Sequence, residues 1–125
     1  MSLVVLPAGR AVEPREGRAV CELDDGRLVV WEPATCCGAI ACHAQRLDVE
    51  VNAMDADVER FGLPRSPVPF ACAWTRAEVA AKLLGTTPWL WLARGARSRA
   101  ARLKTVTMVR PELGIVVSLG MLPHP

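Results

Sequence analysis

The sequence predicts an α+β fold: a single domain over 1–125, with a mainly antiparallel sheet of about five to seven strands and two or three helices. Three observations carry that expectation. They are an Asp-Gly turn between two apolar runs, an unbroken apolar–polar alternation over 45–52, and a capped amphipathic stretch over 75–84. The chain of 125 residues is long enough for one core. With 51% apolar and 22% charged residues its balance is globular.

The elements follow in chain order. Leu3 to Leu6 is a short apolar run closed by Pro7, Ala8 and Gly9. Residues 18–23 and 27–32 flank Asp24-Asp25-Gly26, a hairpin signal because glycine supplies the positive φ that a tight turn needs. Val20, Glu22, Leu28 and Val30 do not share one environment, so the core face of this hairpin stays open. Over 45–52, Leu47, Val49 and Val51 are expected to face a core and Arg46, Asp48 and Glu50 water. Asp55 to Phe61 reads as a short helix ended by Gly62 and Pro64.

Pro67 and Pro69 lead into 70–74, read as an edge strand because proline cannot donate to a ladder. Thr75 and Glu78 form a capping box, Trp74 and Val79 a hydrophobic staple, and Gly85 a C-terminal cap, which together define a helix over 75–84. Residues 88–103 fit either a second helix or a buried strand. Residues 105–109 and 115–119 read as a hairpin about a turn at 110–114, with 121–125 as an exposed tail.

Composition narrows the function classes. No apolar run reaches the ~20 residues that cross a bilayer, and the first residues lack a basic leader region, so a cytoplasmic protein without membrane contact is expected. Five cysteines cannot all pair within the chain, which suits reduced thiols. The net charge of +2 hides an asymmetry: residues 1–62 hold six basic against eleven acidic side chains, residues 63–125 nine against two. Such a split implies either halves that complement each other or an anionic partner for the second half.

Chemistry concentrates in two stretches. Cys36, Cys37, Cys42 and His43 lie within eight residues, and thiolate and imidazole together suit zinc, cuprous copper or thiol redox work. Zinc modules use cysteine pairs two to four residues apart, however, and adjacent cysteines point apart; buried structural thiols are the simpler explanation, with no cofactor expected. The Cys-Cys-Gly triplet lacks the downstream Cys-x-x-Cys that the CCG domain of iron–sulfur enzymes requires, Thr75 standing three positions after Cys72.

The second stretch is 89–104. Arg94, Arg97, Arg99, Arg102 and Lys104 lie on a segment without acids and would neutralise phosphates if the chain bound nucleic acid. The order of capped helix, Gly-Thr-Thr turn, possible helix and hairpin vaguely resembles a winged helix-turn-helix. Against that, the second helix would present Trp89, Leu90, Trp91 and Leu92 where base-reading polar groups belong. Trp89 and Trp91 beside Arg94 and Arg97 instead make the aromatic–arginine combination enriched at protein interfaces. No phosphate loop, nucleophile elbow or zinc-protease helix occurs. The sequence therefore points to a non-enzymatic protein-binding or assembly module, with a protein partner or a homodimer. A thiol-based metal or redox protein and a nucleic-acid-binding regulator are the alternatives.

Overall fold

In the computed structural model residues 2–35, 38–48, 59–94 and 102–124 are described, Arg94 by its backbone alone. Six strands form two antiparallel three-stranded sheets. In the first, β1 (Ser2–Leu6) and β2 (Ala19–Glu22) flank β3 (Leu28–Glu32). In the second, β4 (Gly38–Arg46) and β5 (Lys104–Arg110) flank β6 (Ile115–Pro123). Helix α1 (Pro67–Leu84) lies on the outer face of the second sheet, and α2 (Pro88–Arg94) packs against α1. The α+β class is thereby met.

The β2–β3 hairpin forms where the Asp-Gly turn places it, with Gly26 at φ 90° and the Asp25 carboxylate accepting from the Arg27 amide at 3.1 Å. Pairing Cys21 with Val29 and Ala19 with Trp31 sets the open question of its face: these four turn inward, while Val20 pairs with Val30 on the outer side. The core between the sheets joins them to Leu23, Cys42, Ala44, Ile115, Val117 and Leu119.

Alternation along β6 sends Ser118 and Gly120 the other way, toward α1. The Thr75 hydroxyl lies 2.8 Å from that of Ser118, which lies 2.8 Å from that of Thr107. Gly120 is needed here because an added Cβ would overlap Val79 Cγ1 and press on Leu83. Where the sheets meet, the Ala44 amide on the edge of β4 donates to Cys21 Sγ at 3.3 Å, closing the seam between β2 and β4.

Several expectations need correction. The helix begins at Pro67, not Thr75, and the stretch 70–74 is helical rather than an edge strand. Prolines are tolerated in a first turn, whose amides have no helical partner anyway. The first bond of the ladder runs from the Phe70 amide to the Ser66 carbonyl at 2.9 Å. Thr75 is thus mid-helix, its hydroxyl donating to the Cys72 carbonyl at 3.3 Å, and no capping box forms. The C-terminal expectation holds, with Gly85 left-handed at φ 66°.

The strand expected over 45–52 is instead 38–46, followed by a turn at 47–48; Val49, Glu50 and Val51 lie outside the described residues. Its length is set by its partner. Gly38 pairs with Pro123 and Arg46 with Ile115, where β6 begins; past it the Leu47 amide donates to the Gly114 carbonyl at 2.8 Å, in the turn before β6. The same pairing draws Met121–Pro123 into β6, so this part of the expected tail is half-buried strand, while His124 is exposed as expected. The 105–119 hairpin is present, its turn a 3-10 helix at Pro111–Leu113 with Gly114 left-handed. Within 88–103 the first part is helical, capped by Thr87, whose hydroxyl accepts from the Leu90 amide at 3.2 Å; residues 95–101 lie outside the described residues. Of the helix expected over 55–61, residues 59–61 are described and helical.

Candidate functional site

The strand geometry of β4 separates the thiol and imidazole that the sequence places side by side. Cys42 turns into the inter-sheet core, 1% exposed, with Sγ 3.9 Å from the Val29 carbonyl. Burial pushes its thiol up to about 12, helped by the nearby Cys21 and opposed by Lys82. His43 points away from that core, its Nδ1 3.2 Å from Lys82 Nζ and 3.8 Å from Cys21 Sγ. Burial, then the Lys82 ammonium, lower its pKa to about 4. A neutral imidazole accepting at Nδ1 carries its proton on Nε2. Lys82 also donates to the Cys42 carbonyl at 2.8 Å.

This cluster is poorly suited to thiol chemistry. Activating a cysteine requires a base that accepts its proton, and His43 is held far from protonation. Cys21 Sγ accepts from the Ala44 amide and approaches the Glu22 carbonyl at 3.7 Å, bonds of a packed structural thiol. Cys36 and Cys37 lie outside the described residues; among the described residues no three of His, Cys, Asp and Glu gather as metal ligands. His43 also lines an open hollow of about 490 Å³, with Leu23 and Ala44 beside Glu22, Asp24, Gln45 and Arg46. Its arginine is engaged by Asp24 at 2.6 Å and Asp48 at 3.5 Å.

Trp89 of α2 turns toward the chain's own second core, around Leu63, Phe70 and Trp74. Trp89 stacks on Phe61 at 5.4 Å and meets Trp74 at 4.6 Å, and Trp74 lies parallel to Phe70. Trp91 is half-buried, its indole N–H without an acceptor among the described residues. Arg97 and Arg99 lie outside the described residues, as does the side chain of Arg94; Arg102 and Lys104 are exposed beside the start of β5.

A different feature was not singled out from the sequence. Strand β5 ends its sheet, and no described strand pairs with its outer edge. On the face shared with Leu119 and Met121, Lys104 and Val106 are exposed, Val106 by 59%, and Met108 is half-buried against the inter-sheet core. With Trp31 they enclose an almost wholly apolar groove of about 290 Å³. The indole N–H of Trp31 is buried and has no acceptor among the described residues. The signal available in the sequence was the run Lys-Thr-Val-Thr-Met-Val-Arg over 104–110, which sets two apolar side chains on the face of its first lysine.

The charged side chain that lines the groove, Lys104, belongs to the second half of the chain. The ion pairs of Glu32 with Arg15 and Arg18, of Asp25 with Arg27, of Asp24 with Arg46 and of Glu112 with Arg110 each join residues of one half. None of these pairs joins the two halves. No helix among the described residues is long and apolar enough to cross a membrane. No protein-family model matches the chain, and neither the curated proteins nor the solved structures yield a match.

Proposed function

We propose that this chain is a non-enzymatic protein-binding module that receives an extended segment of a partner protein along the edge of β5. The observation that carries this is the apolar groove of Trp31, Val106, Met108, Leu119 and Met121 opening directly beside a strand edge that no described strand pairs with. An edge strand turns alternate N–H and C=O groups outward, and a guest strand satisfies them while its side chains enter adjacent pockets. The burial of Cys42 in the inter-sheet core, on the strand face opposite His43, speaks against these two residues acting together as a thiol site.

Amide hydrogen exchange tests the proposal. Peptides selected from a random library for binding to the whole chain should slow exchange at the outward amides of β5, and Val106→Asp should abolish that protection. Binders that protect other surfaces and leave β5 unchanged, or a library that yields none, would sink it.

A further inference from the structure

The charges at the two ends of β5 define which strand fits that edge. Lys104 and Arg110 begin and end the strand, six residues apart, on the same face as Val106 and Met108. Arg102, exposed, extends the basic end. We infer that the guest at β5 is a short peptide strand of another protein, with apolar side chains at two alternate positions and an acidic side chain two residues outside each of them. This rests on the protein-binding role proposed above and names the occupant of that groove.

The argument is one of register. A guest strand laid along β5 places every second side chain on the groove face, opposite Lys104, Val106, Met108 and Arg110. The two middle positions look onto the apolar groove and reward apolar groups. The outer two meet Lys104, which lines the groove, and Arg110, which Glu112 already contacts at 3.3 Å; opposite charges directly across a ladder attract while like charges repel, so Lys104 carries most of the preference. Either strand direction places an acidic end opposite Lys104, because both ends of the guest are acidic.

The same charges disfavour a second copy of this chain. Antiparallel pairing of β5 with itself about Thr107 sets Lys104 against Arg110 at both ends. Edge strands are commonly guarded against self-association by charges of this kind. An acid-ended guest meets attraction where a second copy meets repulsion.

Three synthetic peptides of equal length, Glu-Thr-Val-Thr-Leu-Thr-Glu and its glutamine-ended and lysine-ended counterparts, test this by NMR titration of the labelled chain. The acid-ended peptide should bind at least about fivefold tighter than the glutamine-ended one, with amide shifts in β5 and β6, and the lysine-ended one weaker still. That ranking should flatten in high salt. The double substitution Lys104→Glu and Arg110→Glu should reverse it. If all three peptides shift β5 with equal affinity, the acidic-guest inference fails while the protein-binding role stands. If none perturbs β5 at millimolar concentration, both fail. A dimer by light scattering that Lys104→Glu strengthens, or duplex DNA that shifts the same amides and displaces the peptide, would likewise overturn the inference.

Discussion

The hydroxyl of Thr75, inside helix α1, lies 2.8 Å from the hydroxyl of Ser118 at the middle of β6. Both residues are fully buried, and Thr107 of β5 adds a third hydroxyl to the chain. This polar contact sits in the otherwise apolar layer between the helix and the sheet that carries the groove, and it fixes their relative position. A buried hydroxyl is costly only when left without a partner.

Ser118→Ala is therefore expected to cost about 1–2 kcal/mol, because it strips a partner from two threonines at once. Thr75→Val should cost about 1 kcal/mol, since Thr107 and Ser118 keep each other. The double variant should fall short of additivity by about 0.5 kcal/mol or more. Urea denaturation of the four proteins measures this, and strict additivity would count against the contact.

Gly120 sets the distance between α1 and the sheet. Gly120→Ala drives a methyl group into Val79 Cγ1 and should destabilise by about 2–3 kcal/mol. Val79→Ala removes the overlap, so it should cost much less in the Gly120→Ala background than in the wild type. Equal costs in the two backgrounds would place the clash elsewhere.

His43 makes stability depend on acid. Its pKa in the folded chain is lowered to about 4 from 6.5, by burial first and by Lys82 second. Below pH 6.5 the unfolded chain takes up a proton that the native chain refuses, so this group's stabilisation is complete above that pH and is lost as pH falls toward 4. Between pH 7 and pH 4.5 the wild type should lose about 2 kcal/mol more than His43→Gln. Parallel slopes for the two proteins would show that His43 is not the group responsible.

The buried thiols should be inert. In a chain carrying Cys36→Ser, Cys37→Ser and Cys72→Ser, only Cys21 and Cys42 remain, both buried. A disulfide reagent at pH 8 should then release negligible thiol over minutes from the native chain, and react with both in urea. Prompt reaction of the native protein would restore the case for a thiol site.

The hairpins about Gly26 and Gly114 and the end of α1 at Gly85 were legible in the residues themselves, because each rests on a left-handed glycine that local sequence can specify. The α+β class followed from those signals and from alternation. The start of α1 was not legible. Pro67 and Pro69 are compatible with a strand edge and with a first helical turn, and only the burial of Phe70 and Ala71 against the rest of the chain selects the helix. The length of β4 belongs to tertiary structure too, since its ladder stops where β6 begins. So does the separation of Cys42 from His43. Neighbours in sequence point to opposite faces of a strand, and which neighbour meets the core depends on the sheet stacked above. The groove is the furthest removed from sequence. Trp31 lies more than seventy residues from Val106, and the two meet only because one sheet leaves the end of the other uncovered.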